Sequence, residues 1–194
     1  MSFIFPSAED ELRKTVSGIK AQSWDPQLVN NASGGIITSG TIYYTAMYLT
    51  AAQVITGCYI PLGNIASYTP NNKNRVGLYS SDGTTLTLVA SCADTPTLWI
   101  APTSTLLNVT YSSTYNAPVG IYYAAYLWNS SATVTAPTIN RMTFTGVFVN
   151  AGKTVNDFRN GTQSGQTDLP ATQVISGISN AGVSGQVAFW AGIY

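Results

Sequence analysis

Apolar and polar side chains alternate most regularly in residues 75–90. This period of two places successive side chains on opposite faces of a β-strand. Asp82-Gly83 interrupts the alternation, and Asp-Gly is among the strongest signals for a hairpin turn because Gly adopts positive φ at little cost. We therefore predict one β-hairpin whose Asp82-Gly83 turn lies at the edge of a β-sandwich. Four of its side chains are expected to face the core: Val76, Leu78, Leu86 and Leu88.

The chain from Gly40 onward continues with short strand-like segments separated by Gly, Pro, Asn and Ser. Residues 120–128 are apolar on both faces, which is typical of a central strand covered by two layers. Residues 63–74 and 150–171 are predicted to be loops because turn-forming residues are frequent there. Further strands are predicted at residues 41–49, 54–62, 97–100, 106–111, 141–149 and 187–194.

This count of about eight short strands predicts an all-β fold, an antiparallel β-sandwich or barrel. Long connections between some of the strands favour a jelly roll over an up-and-down barrel. The immunoglobulin alternative is disfavoured because the sequence lacks its Cys-Trp-Cys spacing.

The first 35 residues differ from the rest, and we interpret them as an N-terminal arm that precedes a sandwich domain of residues 36–194. Ser7 followed by three acidic residues is typical of a helix start, and a short helix would end at Gly18. The arm is either a solvated extension or an anchor on a neighbouring subunit, and we prefer the anchor. Its expected apolar contacts are Phe3, Phe5, Leu12 and Trp24.

Charged residues make up only 8% of the chain, against about 25% in ordinary soluble domains. The formal net charge is zero, so the field that would attract nucleic acid is missing. The longest apolar run is residues 121–128, far short of the roughly 18 residues of a membrane-spanning helix. We therefore expect neither membrane insertion nor nucleic acid binding, and the N-terminus also lacks the pattern of a secretory signal. An uncharged polar surface is typical of particle-bound and adhesive β-proteins, or of one covered by partner subunits.

The sequence contains no histidine, which removes the commonest general base and the commonest metal ligand. Two of the carboxylates in the predicted sandwich belong to turns, and the other two lie in a long loop where a glycosidase pair would be accidental. A phosphate-binding glycine loop is also missing. We therefore predict no enzymatic activity, no metal and no cofactor. The carboxylates are Asp82, Asp94, Asp157 and Asp168.

Cys58 and Cys92 are isolated in the sequence and have no metal-ligand spacing. They could form a disulfide or remain as two buried reduced thiols. The second interpretation is preferred, because free cysteine behaves as a small buried apolar residue.

Aromatic residues near strand ends or in loops are the remaining candidates for binding. Large, rigid and partly polar rings stack on sugars or anchor protein interfaces. The alternative is that these rings pack inside the sandwich or between subunits. The candidates for glycan or partner contacts are Tyr68, Tyr111, Tyr115 and Trp128.

Five segments occur in a specific order along the chain: GLYSSDGT (77–84), a strand containing Trp99, PVGIYYAA (118–125), GQTDLP (165–170) and FWAG (189–192). Their order and spacing resemble a β-sandwich domain of tailed-bacteriophage virion proteins, of the minor tail, fibre or head-decoration type. The resemblance covers roughly residues 36–194 and leaves the arm outside.

This resemblance implies a non-enzymatic structural protein on the surface of a phage virion, with capsid or tail proteins as partners. It also implies homo-oligomers, with a trimer expected first and a dimer second, and contacts to host-surface carbohydrate in some members. The alternative is a stand-alone carbohydrate-binding module or adhesin. The arm discriminates between the two, because a particle component needs an anchor and a soluble lectin does not.

Overall fold

The structure is a computed structural model that describes residues 18–23, 30–64, 66–100, 105–143, 160–179 and 187–194. These residues form antiparallel β-sheets, and no α-helix occurs among them. Among the described residues, one 3-10 turn lies at Ile175–Gly177. The predicted helix ending at Gly18 falls outside the described residues, as does most of the predicted arm.

Fifteen strands lie in the described residues, and six of them have four residues or fewer. The strands are β1 (Ala21–Gln22), β2 (Asn30–Ile36), β3 (Thr41–Leu49), β4 (Gln53–Asn64), β5 (Ser67–Pro70), β6 (Arg75–Ser81), β7 (Thr85–Ser91), β8 (Leu106–Ala117), β9 (Gly120–Trp128), β10 (Ser130–Thr135), β11 (Thr138–Thr143), β12 (Asn160–Gln163), β13 (Thr172–Val174), β14 (Val187–Phe189) and β15 (Gly192–Ile193).

Two large sheets enclose the core. One has six strands in the order β12-β3-β9-β6-β7-β13, and every neighbouring pair is antiparallel. The other has seven strands and curls into a half-barrel. Its strand β4 pairs with β8, and it also pairs with β15 at residues 58–59 and with β11 at residues 62–64. A separate ribbon joins β5 to β10. Residues assigned from the sequence to the arm are part of the curled sheet, because β1 pairs with β15 and β2 with β11.

Four antiparallel pairs are nested along the chain. The outermost is β2 with β11, followed inward by β3 with β9, β4 with β8, and the hairpin of β6 with β7. Successive pairs alternate between the curled sheet and the six-stranded sheet. The nested pairing therefore brings distant parts of the sequence together as a sandwich of two sheets.

Apolar side chains form two separate clusters. The first core lies between the sheets and includes Trp99, Tyr126 and Ile60. The second core lies on the outer face of the six-stranded sheet and is covered by a segment that contains Leu169, Ile175 and Ile178. The central position of β9, predicted from its apolar character on both faces, is confirmed, since it lies between β3 and β6.

The predicted hairpin is present, and Gly83 in its turn has φ of 93°. The hairpin continues into a further strand of its sheet, because β13 pairs with β7. A bulge also separates the pair Leu78–Ala90 from the pair Tyr79–Leu88, which leaves Val89 without a partner in the register. Because of this register Leu88 shares the face of Tyr79 and not that of Leu78.

The four predicted core residues of the hairpin consequently serve two different cores. Val76 and Leu78 are fully buried in the first core. Leu86 is buried in the second core, and Leu88 packs against it half-buried. The prediction that all four residues face a single core was therefore wrong. Alternation shows which side chains of one strand share a face, but not which face of the neighbouring strand they lie beside.

Four other predicted segments differ from the structure. Residues 97–100 form a turn and not a strand, with the amide of Leu98 donating to the carbonyl of Thr95 at 2.9 Å. The predicted loop of residues 63–74 contains β5, and the predicted strand at 106–111 extends to Ala117. Residues 187–194 form β14 and β15, which pair with β11 and β4, respectively. Most of the predicted strand at 141–149 and the first part of the predicted loop at 150–171 lie outside the described residues.

Both cysteines are free thiols buried in the first core. Burial raises the pKa of the Cys58 thiol to about 12. The preferred interpretation of two buried reduced thiols therefore agrees with their placement.

The first core predicts the effect of truncating its central leucine. Leu78 is fully buried, so Leu78→Ala should lower the free energy of unfolding by about 2–5 kcal/mol through lost burial and a residual cavity. Chemical denaturation measures this change. Thr87→Ala on the exposed side of β7 is the matched control and should change the value by less than about 0.5 kcal/mol. An unchanged midpoint for Leu78→Ala would contradict the assigned register.

Candidate functional site

Two of the four predicted contact aromatics are buried in the first core. Tyr111 is 5% exposed and Trp128 is 2% exposed, so neither ring is available at the surface. Burial raises the pKa of the Tyr111 hydroxyl well above its usual range. The alternative interpretation, packing inside the sandwich, describes the placement of both residues.

The other two aromatics are partly buried and also contact the core. Tyr68 packs edge-to-face on Trp128 with ring centroids 5.6 Å apart, and its hydroxyl donates to the carbonyl of Pro96 at 2.7 Å. Tyr115 packs against Tyr122 in the same manner at 6.2 Å. The structure therefore does not bring the four predicted residues together as one site. The predicted anchor residues Phe3, Phe5, Leu12 and Trp24 lie outside the described residues.

One end of the sandwich is held together by buried asparagines. Asn74 and Asn129 bond reciprocally, because the Asn74 side chain donates to the Asn129 carbonyl at 3.1 Å and accepts from the Asn129 amide at 3.0 Å. The Asn129 side chain in turn donates to the carbonyl of Lys73 at 2.7 Å. We call this end, where β9 stops and β6 begins, the polar end.

Two ion pairs reinforce the polar end. Arg75 contacts Asp168 at 3.0 Å, and its Nε donates to the carbonyl of Cys92 at 3.1 Å. Lys73 contacts Asp94 at 3.3 Å, while the other oxygen of Asp94 accepts the Asn74 amide at 2.9 Å. These carboxylates are therefore occupied in joining β6 to the loops beside it.

The opposite end of the sandwich has an apolar surface. The turns from β3 to β4 and from β8 to β9 meet there, since Gln53 is opposite Ala117 and Leu49 is opposite Gly120. Four of the nine exposed large apolar side chains among the described residues lie at this end, which we call the apolar end. They are Tyr48, Val54, Val119 and Ile121.

The apolar end also contains an open depression of about 490 Å³, lined by Gln53, Val54, Asn116 and Pro118 among others. Exposed large apolar side chains that gather at one end of a domain can mark a contact with a partner or a ligand. The apolar end is therefore a candidate interaction surface. Sequence reasoning missed it because alternation assigns each residue to a face of its own strand and does not show which turns meet.

A pair of tyrosines on the outer face of the curled sheet was also missed. The rings of Tyr59 and Tyr194 have centroids 4.5 Å apart and an angle of 37° between their planes. Tyr59 is on β4, whereas Tyr194 follows β15, and the pairing of these two strands brings the rings together. The sequence places each tyrosine on the face opposite the apolar neighbours of its strand, but their proximity required the pairing.

Little in the described residues supports catalysis or metal binding. No group of three or more His, Cys, Asp or Glu in this part of the chain could hold a metal ion. The carboxylate of Asp82 accepts bonds from Thr84 and Thr85 in its own turn, and these bonds lower its pKa. Asp157 lies outside the described residues. Among the described residues, no helix is long and apolar enough to cross a membrane.

The asparagine pair at the polar end predicts a large effect of a small truncation. Asn74→Ala would leave the buried amide of Asn129 without its partner, while the Asn129 carbonyl would keep only the longer bond from the Asn71 amide at 3.3 Å. We expect a loss of about 1–3 kcal/mol in the free energy of unfolding, which is the cost of one unsatisfied buried group. Thermal and chemical denaturation measure it. The control is Asn71→Ala, whose exposed side chain bonds only the next amide and should cost under about 1 kcal/mol. Equal effects of the two substitutions would show that the reciprocal pair contributes nothing specific.

A scan against protein-family models found no family that matches this chain. A search of curated proteins found no match either.

Proposed function

We propose that the protein is a non-enzymatic structural protein on the surface of a tailed-phage virion, a tail appendage, fibre or head-decoration component. The N-terminal arm anchors it to capsid or tail proteins, and the sandwich forms the exposed body. The sequence resemblance supports this proposal. The structure adds one supporting observation about the ends of the sandwich and another about the order of its strands.

The contrast between the two ends is the observation that carries the proposal. The polar end satisfies its buried groups internally through Asn74 and Asn129, whereas the apolar end exposes Tyr48, Val54 and Ile121 to solvent. A subunit of a particle needs one face that seats on its neighbours and another that tolerates water. The apolar end provides the first and the polar end the second.

The described start of the chain lies toward the same apolar end. Ala21 is opposite Ile193, which in turn is opposite Cys58, so β1 runs parallel to β4. Gly18, three residues before Ala21, therefore lies on the side of β1 that points toward the start of β4 at the apolar end. An arm that precedes Gly18 and an apolar end that faces the particle would act on the same partner.

The nested strand pairs support a jelly roll as the finer description of the fold. A jelly roll consists of two packed sheets of four main strands joined by Greek-key connections. A long antiparallel ribbon of four nested pairs that rolls up gives such sheets, with the pairs alternating between them. The pairs β2–β11, β3–β9, β4–β8 and β6–β7 have this arrangement.

Low charge supports the oligomeric part of the proposal. Residues 35–140 carry only Lys73, Arg75, Asp82 and Asp94 as charged side chains, and the first two pair with acidic groups at the polar end. A neutral surface with few charges tends to associate. A closed symmetric oligomer would cover much of this neutral surface and avoid open-ended association. We expect a trimer first and a dimer second.

The alternative, a stand-alone carbohydrate-binding module, has less support from the aromatics predicted for it, because Tyr111 and Trp128 are buried. It also offers no role for an apolar end.

The arm is tested by deleting residues 1–17, which leaves β1 and β2 in the curled sheet, and measuring the amount of chain in purified virions. We expect the deletion to abolish incorporation while light scattering shows an unchanged oligomer. If full-length chain does not purify with intact virions, the proposed function is wrong. A chain that stays monomeric at high concentration and joins the particle without its arm would contradict both the oligomer and the anchor.

The apolar end is tested by Val119→Asp, which places a charge among exposed apolar side chains. We expect it to lower the incorporation into virions at least tenfold, because a charge buried in an interface without a partner is costly. The matched control is Val134→Asp on β10, where valine is 85% exposed and lies away from the apolar end. If both variants assemble like the wild type, the apolar end is not the contact surface.

A further inference from the structure

The outer face of the curled sheet contains an aromatic surface that the two cores do not use. The rings of Tyr59 and Tyr194 lie 4.5 Å apart, and neither residue belongs to either buried cluster. Both side chains are partly exposed. We call the two rings the tyrosine platform.

The position of Tyr194 is strongly constrained. Its carbonyl accepts from the amide of Thr56 at 2.7 Å, and its hydroxyl contacts the side chains of Asn108 and Thr110. The phenol end of its ring fills the space over Gly57, where an added Cβ would lie 2.3 Å from the ring carbon Cζ. A glycine at position 57 is therefore required for this ring position, and the ring is held in place before any ligand arrives.

The three strands of the platform are polar and uncharged on this face. Asn108 lies opposite Tyr59 and Thr110 lies opposite Gly57, and both side chains are exposed. β4, β8 and β15 carry no charged side chain anywhere along their lengths. A charged residue comes close only from the neighbouring strand, since the exposed Lys20 directly precedes β1, which pairs with β15. Among the described residues, the strands that carry the platform therefore match a neutral ligand that offers hydroxyl groups.

An exposed leucine on β8 extends this face beyond the tyrosine platform. Leu106 is 52% exposed and lies opposite Pro61, two positions beyond the pair of Asn108 and Tyr59. From Leu106 to Thr110 the face extends about 14 Å along β8. It is therefore long enough for several linked sugar units.

We propose that the tyrosine platform binds a neutral oligosaccharide. The apolar face of a sugar ring packs on an aromatic ring, while its hydroxyl groups bond with polar side chains at the margin. Tyr59 and Tyr194 supply the rings, and Asn108 and Thr110 supply the donors and acceptors. This inference rests on the proposed function, because it names the site through which a virion surface protein would contact host glycans.

The test uses the full-length chain and a defined set of probes: maltohexaose, cellohexaose, laminarihexaose and mannohexaose, with hyaluronan hexasaccharide as the anionic comparison. Isothermal titration should detect at least one of the neutral probes and no binding of the anionic one. Tyr59→Ala and Tyr194→Ala should each weaken binding about tenfold or more. Tyr59→Phe keeps the ring and should stay within about threefold of the wild type.

The control for an exposed side chain elsewhere is Val134→Ala, which should bind like the wild type. Thermal unfolding of each variant separates a lost contact from a lost fold, and Tyr59→Phe with an unchanged melting temperature provides the reference. If none of the neutral probes binds, or if both alanine variants bind like the wild type, the inference is wrong.

Incorporation into virions distinguishes this inference from the proposed function. Platform variants that lose sugar binding but still enter virions support both. Chain that enters virions and binds no neutral probe overturns the inference alone, whereas chain that binds sugar but is absent from virions overturns the proposed function alone. Alanine variants that fail to enter virions while the wild type binds no probe would show that a virion protein covers this face, which also overturns the inference.

Discussion

The structure depends on a central strand that cannot be exposed to water on either face. The inward side chains of β9, such as Tyr122 and Tyr126, are buried between the two sheets, and the outward ones, such as Tyr123 and Leu127, are buried as well. A simple two-layer sandwich would leave the second set in solvent. The segment with Leu169, Ile175 and Ile178 covers it, so the fold needs a third partial layer to keep its middle strand stable.

This third layer also explains how a chain with so few charges keeps its loops in place. Tyr79 donates from its hydroxyl to the carbonyl of Pro170 at 2.7 Å, and Arg75 holds Asp168 in the same segment. At the polar end, the buried asparagines Asn74 and Asn129 bond the backbone alongside two ion pairs. Hydrogen bonds to neutral groups have no long-range field, so they organise the interior without making the surface repel a neighbouring subunit.

With so few charged side chains, the sandwich has three different kinds of surface. Where turns meet at the polar end, amide side chains bond the backbone. Where they meet at the apolar end, Tyr48, Val54 and Val119 face solvent. The third surface is the tyrosine platform on the outer face of the curled sheet, where the rings are held in fixed positions beside neutral polar side chains. These three surfaces differ in the kind of partner they fit, and the proposed assembly and the proposed sugar site use different ones.

The sequence by itself determined the all-β character, the turn at Asp82-Gly83 and the central place of β9, because each depends on residues that are neighbours along the chain. Local alternation also placed Val76 and Leu78 inside. Only the tertiary structure decided that Leu86 serves a second core, since a bulge changes which face a paired strand continues. The apolar end and the tyrosine platform were equally inaccessible from the sequence. Each joins residues from distant strands, and the energy of long-range pairing, not local preference, selects which strands meet.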